Sequence, residues 1–250
     1  MSFEPWHWAV LATGAMLVGL SKSGIPGIGI LAVAVFQWVI PPKEATGLVL
    51  PLLIVGDIAA VATYREHTQW RHVLRLFPWT AAGVVLGHLV FSRIDNRAAS
   101  ILIGSILLAM VVLHLWRKWT AGEQRLEQEI ESHGAWFAPV IGVLAGFTTL
   151  IANAAGPLMV LYLLAMGLPK MKFLGTSAVY FFVLNVFKVP FMAYLGAISV
   201  PSLEVNLWLA PAVLLGSWLG RVVAGRVSQR LFEGVALALT FASAVHMVMR

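Results

Sequence analysis

Residues 98 to 113 read AASILIGSILLAMVVL, sixteen positions without one charge, and runs of this kind recur along the whole 250-residue chain. A segment like that can be buried in hydrocarbon, where the backbone must satisfy its own hydrogen bonds, and only helices and closed barrels do so. A barrel strand alternates apolar and polar residues. These runs do not alternate, so the spans are helical. With 60% hydrophobic and 11% charged residues, the chain is far from the roughly 25% charge of a soluble domain, and too apolar for disorder. It contains no cysteine, which excludes a disulfide framework, a thiolate metal site and thiol catalysis. The N-terminus, MSFEPWHWAV, has Glu4 and no Lys or Arg before its apolar run. That is the wrong flank for a cleavable signal peptide, so residues 6 onward are read as mature fold. The net charge of +6 lies in short gaps between apolar runs and forms no continuous patch. The expected partner surface is therefore a lipid bilayer and not nucleic acid.

The apolar runs are Trp6–Leu20, Ile28–Ile40, Ala45–Tyr64, Val73–Phe91 and Ala98–Trp116, then Trp136–Leu150, Pro157–Gly167, Leu174–Leu195, Val205–Gly220 and Leu231–Met249, with a hydrophilic stretch at 117–135 between the sets. Each set opens on two short runs, 15 and 13 residues in one and 15 and 11 in the other. A helix needs about 20 to cross a bilayer core. The sets also align by residue. Gly19, Gly29, Pro41 and Gly47 match Gly146, Gly156, Pro169 and Gly175, and at a constant offset of 133, Pro78, Gly83 and Gly87 match Pro211, Gly216 and Gly220. Seven glycine and proline coincidences in register divide the chain into a first repeat at 1–116, a linker at 117–135 and a second repeat at 136–250.

Charge chooses the topology. If each short pair were one broken helix, the basic residues of the gaps would divide eight against seven. If each pair is a hairpin that returns to its starting side, the second half is inverted and the division becomes eleven against four, with Arg65, Arg71, Arg75, Arg117 and Lys118 among the eleven. Only the second is a positive-inside bias. The expected fold is thus all-α and integral to the membrane, with two inverted repeats, each a short broken or re-entrant hairpin plus three full transmembrane helices. Both termini are expected outside and the linker in the cytoplasm. Trp6, Trp70, Trp116, Trp119 and Trp136 fall at segment ends, as an aromatic belt requires.

Inverted repeats whose matching helices are short and interrupted by Gly or Pro point to a transport site. The two breaks run from Ser21 to Gly29 and from Thr148 to Pro157. Their glycines let the chain turn, and the returning arm aims its positive dipole end and free N–H groups at the tip, which favours an anion. The expected substrate contacts are Lys22, Ser23, Gly24, Gly27, Thr149, Asn153, Gly156, Asn185 and Lys188. Ionisable residues inside a membrane are costly and mark function by default. Lys22, Asp57 and Lys188 are such residues, and Asp57 aligns with Asn185 at an offset of 128. Two cations against one carboxylate leave one positive charge for an anionic substrate to neutralise. Asp57 is the candidate for proton coupling. The competing reading makes Asp57 a permanent structural partner of Lys22 or Lys188, and the glycines packing devices. Walker, HExxH and GxSxG motifs and paired carboxylates on one span are absent, so no enzyme, metal or cofactor is expected. A passive anion channel and, more remotely, a lipid-modifying enzyme are the alternatives.

The Gly-rich break KSGIPGIG, the P-x-x-x-A-x-G step from Pro41 to Gly47 and the P-x4-G-x3-G helix from Pro78 to Gly87 resemble the TauE/SafE sulfite exporter family, also called TSUP. The resemblance covers essentially the whole chain, although SKSGIPGIG stands where the family usually has a denser glycine run. It implies a multi-pass protein of the bacterial inner membrane that carries a small sulfur-containing anion such as sulfite, thiosulfate or an organosulfonate like sulfoacetate. The oligomeric state is left open, with a homodimer among the options.

Overall fold

The computed structural model describes residues 4–26, 28–91 and 136–249, and between 92 and 135 only Arg97, Ile101, Ser105, Leu108, Ala109 and Val112. Gly27, the linker at 117–135 and most of the run at 98–116 lie outside the described residues. All described elements are helical: α1 (Pro5–Ser23), α2 (Gly29–Phe36), α3 (Pro42–Tyr64), a 3-10 turn (Arg65–His67), α4 (Trp70–Phe91), α5 (Phe137–Ala152), α6 (Ala155–Ala165), α7 (Lys170–Tyr194), α8 (Val200–Arg226) and α9 (Gln229–Met249). Among the described residues four regions, Glu44–His67, Trp70–Phe91, Lys170–Tyr194 and Val200–Arg226, are long and apolar enough to cross a membrane. Leu74, Leu86, Leu89, Leu207, Trp208, Leu214 and Trp218 are exposed along α4 and α8. Water does not tolerate a surface of that kind, whereas lipid does. The chain is an integral, multi-pass membrane protein.

Local sequence explains the boundaries. Pro41 and Pro169 stand in extended conformation immediately before α3 and α7, where a missing N–H costs nothing. Ser199 caps α8 reciprocally: its hydroxyl accepts from the Ser202 N–H at 3.3 Å while the Ser202 hydroxyl accepts from the Ser199 N–H at 2.9 Å. The 8 residues of α2 and 11 of α6 extend only about 12 and 16 Å at 1.5 Å per residue, well short of a bilayer core.

Both short pairs fold back on themselves. Gly14 of α1 lies against the Phe36 ring of α2, and Gly29 lies 3.0 Å from the Ser21 hydroxyl, measured from where its Cβ would stand. In the second pair the rings of Phe137 and Tyr162 stack at 5.8 Å. The two hairpins then pack on the opposite halves of the chain. A Cβ on Gly19 of α1 would overlap the Val213 carbonyl of α8, and one on Gly216 of α8 would overlap the Met16 carbonyl. Likewise a Cβ on Gly146 of α5 would overlap the Thr80 carbonyl of α4, and one on Gly83 of α4 the Val143 carbonyl. These are the same contacts made twice, at positions related by the offsets read from the sequence. In both, the paired helices run parallel: Met16 meets Gly216 and Leu20 meets Gly220, while Val143 meets Gly83 and Leu150 meets Gly87. Between α3 and α7 they run in opposition: Gly47 meets Ala197 just beyond the end of α7, Asp57 meets Asn185, and Tyr64 meets Gly175.

The core divides accordingly. One buried cluster joins Leu11, Ala15, Phe36, Leu48, Leu52, Leu209 and Val213, and a larger one joins Tyr64, Leu76, Leu150, Met159, Tyr162, Phe173, Tyr180 and Leu184. Because the glycine contacts place backbone directly on backbone, Gly19→Val and Gly146→Val are each expected to destabilise the detergent-solubilised protein by about 3 kcal/mol, the scale of overpacking. Gly156→Ala, with nothing within 4 Å of its Cβ position, is expected to leave the melting temperature nearly unchanged. Thermal unfolding of the three variants checks both expectations.

Candidate functional site

The last turn of α1 carries Lys22, where a cation is favourable against the helix's negative end. Its ammonium group lies 2.8 Å from Asp57 Oδ1 and 4.3 Å from the centre of the Phe181 ring. Asp57 is fully buried, and its other oxygen accepts from Asn185 Nδ2 at 2.6 Å. A carboxylate out of water needs this compensation on both oxygens.

Lys188, three residues beyond Asn185 and fully buried, reaches the other hairpin. Its ammonium group donates to the carbonyl and hydroxyl oxygens of Thr149, both at 3.1 Å, and to Asn153 Oδ1 at 2.5 Å. Asn153 closes α5 in the left-handed region, φ 51°, where asparagine is among the few side chains tolerated. Its amide nitrogen donates to the Thr46 carbonyl of α3 at 3.1 Å. Asn153 therefore ties the second tip to both central helices. Among the described residues Lys188 has no carboxylate within ion-pair distance.

A cavity of about 70 Å³ opens between the two tips. A single water needs only about 10–15 Å³, so the space suits a small solute. Its polar wall is made by Ser21, Lys22, Thr149, Asn153, Ser177 and Asn185, and Val33, Leu53, Met159, Val160 and Phe181 are among its apolar lining. Gly29 of α2 and Ala155 and Gly156 of α6 also line it. Neither helix start has a side-chain cap, so both present uncapped, positive N-terminal ends to the space. The Ser177 hydroxyl is buried without a hydrogen-bond partner.

Five of the sequence-predicted contacts, Lys22, Thr149, Asn153, Gly156 and Asn185, meet at this cavity. Asp57 and Lys188 stand one layer behind it, on Lys22 and Asn185 and on Thr149 and Asn153 respectively. Ser23 and Gly24 lie elsewhere. The Ser23 carbonyl accepts from the Tyr64 hydroxyl at 2.7 Å. Gly24 packs on the Gly220 backbone and borders a separate apolar cavity of about 60 Å³ with Ile25, Val223 and Phe232. Gly27 is outside the described residues. No group of three or more His, Cys, Asp and Glu side chains able to hold a metal occurs among the described residues.

Residues 11–247 match the family described as Sulfite exporter TauE/SafE. The chain belongs to that family. No curated protein and no solved structure matches it. Membership in TauE/SafE, a transporter family, fits a cavity held between broken helices.

Among the cavity residues of this TauE/SafE chain that were not sequence-predicted contacts are Ser21, Ser177 and Phe181. The signal for two of them was present: positions 177, 181 and 185 are spaced by four along α7 and so share a face with one another. Nothing in the sequence points to the Thr46 carbonyl. Asn153→Ala removes two hydrogen bonds and leaves a Cβ residue in the left-handed region, for an expected loss of about 2–4 kcal/mol. Asn153→Gly loses the same bonds but adopts that backbone freely, so it is expected to be about 1 kcal/mol more stable than the alanine variant. Denaturant unfolding in detergent measures the difference.

Proposed function

We propose that this protein is a secondary transporter that carries a small sulfur-containing anion, such as sulfite, thiosulfate or an organosulfonate, by alternating access through the cavity between the hairpin tips. The observation that carries this reading is the convergence there of Lys22, two uncapped helix N-termini and the partnerless Ser177 hydroxyl. Donors and positive ends dominate the polar wall, which is the chemistry of an anion site. The sulfur comes from the family. In this reading Asn153 and Lys188 hold the second tip in place, Asp57 is the proton-coupling group, and transport proceeds without chemical change of the substrate.

The proposal includes the architecture. The halves 1–116 and 136–250 are inverted repeats joined by a cytoplasmic linker at 117–135, with both termini outside the bacterial inner membrane. Three observations support it: the glycine contacts recur at repeat-related positions, the matched helices α3 and α7 run antiparallel, and the basic residues divide eleven against four. Since the chain has no cysteine, single-cysteine variants in the linker report topology directly. They are expected to react with a membrane-impermeant maleimide only after the cells are permeabilised; labelling in intact cells overturns the orientation.

Reconstituted in proteoliposomes, the protein is expected to move sulfite or thiosulfate. Lys22→Gln is expected to lower the flux at least about tenfold, as loss of a buried charged partner costs 1.4 kcal/mol or more. A folded Lys22→Gln variant with unchanged flux removes the site from this cavity. A unitary conductance in planar bilayers, in place of saturable flux, would establish the channel alternative.

A further inference from the structure

The buried charges at the tips carry an inference that rests on the anion-site reading and deepens it. Lys22, Asp57 and Lys188 form one connected cluster. Lys22 touches Asp57, Asp57 touches Asn185, and Lys188 sits one turn along α7 while holding Thr149 and Asn153 of the cavity wall. Two ammonium groups against one carboxylate leave one positive charge. Among the described residues, the charged groups that act on Asp57 are Lys22 from α1 and Lys188 from α7; α2, α4, α5 and α8 place none against it. Among the described residues, Lys22 is the one charged side chain that lines the cavity.

We propose that Asp57 makes this site count ligand charge: a monovalent anion binds without a proton, and a divalent anion binds only together with one proton taken up by Asp57. The argument is electroneutrality in a medium of low dielectric. A monoanion beside Lys22 cancels the excess positive charge and leaves the cluster neutral. A dianion leaves one negative charge uncompensated, which a medium of low dielectric strongly disfavours. A proton on Asp57 restores the balance, and Asn185 already lies within hydrogen-bond distance of that carboxyl group. Proton coupling thereby becomes a property of the ligand's charge and not of every transport cycle.

Methanesulfonate and sulfate are tetrahedral oxyanions of nearly equal size that differ by one charge, which makes them the probes. Isothermal titration calorimetry of the detergent-solubilised full chain at fixed ionic strength is preferable to thermal stabilisation, because sulfate stabilises folded proteins generally by exclusion. Near pH 8 sulfate is expected to bind at least about tenfold more weakly than methanesulfonate. Towards pH 6 the sulfate affinity is expected to rise by up to about tenfold per pH unit, as linkage to one proton requires, while methanesulfonate stays constant. The binding enthalpy in buffers of different ionisation heat counts protons directly: one taken up with sulfate and none with methanesulfonate. In Asp57→Asn the two cations have no carboxylate, so sulfate is expected to bind at least as tightly as methanesulfonate at every pH. The wild-type proton count stands as a test even if that variant does not fold.

Equal affinities near pH 8, or an equal proton count for the two anions, overturns the charge-counting proposal and leaves the anion site standing. Binding of neither anion, or binding of methanesulfonate unaltered in a folded Lys22→Gln variant, overturns both.

Discussion

A carboxylate with no exposed surface, Asp57, is held between an ammonium group and an amide, and the arrangement of both hairpins follows from that need. Burial strips such a group of water at a cost of several kcal/mol, which only close partners on both oxygens recover. Lys22 can be one of those partners because α1 ends beside α3 instead of continuing, and Asn185 can be the other because α7 passes α3 at that level. A helix that ran straight through would present only its own side to Asp57. By stopping, it presents a side chain, a free helix end and room for a solute in the same place.

The fold supports these interruptions with unusually close packing. Where α1 meets α8 and α5 meets α4, glycines let backbone approach backbone so closely that no side chain fits between. In lipid there is little hydrophobic gain from bringing helices together, so such packing supplies the attraction. Each hairpin is therefore anchored along its long arm to the other half of the chain, while its tip rests on the central pair α3 and α7. The short arms α2 and α6 complete the cavity wall. Long arms anchored by backbone contact and a polar, solute-sized space at the tips are what the proposed transport site between two bundles requires.

Much of this was legible in the sequence for one reason: in a membrane, polarity is so costly that each charge at depth announces itself. Lys22, Asp57 and Lys188 were singled out by depth alone, and Asn185 by its register with Asp57. The glycines matched in register include positions where backbones touch, such as Gly19, Gly83, Gly146 and Gly216, although the register does not say which helices meet there. What depth cannot tell is the use to which a glycine is put. Gly24 and Gly156 sit in comparable breaks, yet a Cβ on Gly24 would meet the Gly220 Cα at 2.5 Å and one on Gly156 would meet nothing. The first is a packing glycine and the second lines the cavity. That difference depends on a helix from the distant half of the chain. Ser177 escaped notice because a lone serine in an apolar helix carries little cost and so little signal, and Thr46 because its contribution is a backbone carbonyl.

The contact between Asp57 and Asn185 is also where the two halves differ most consequentially. The positions correspond under the proposed repeat, and they touch each other, so an axis relating the halves of that repeat would pass there. Two carboxylates there would repel at hydrogen-bond distance and cancel both lysines, leaving nothing for an anion to neutralise. Two amides would leave both lysines uncompensated, which favours a divalent ligand and gives no group to hold a proton. One of each gives a single surplus charge, a hydrogen bond between the pair, and one titratable oxygen pair beside Lys22. In the proposed repeat a duplicated scaffold brings the two positions together, and the loss of symmetry at that one contact gives the site its charge.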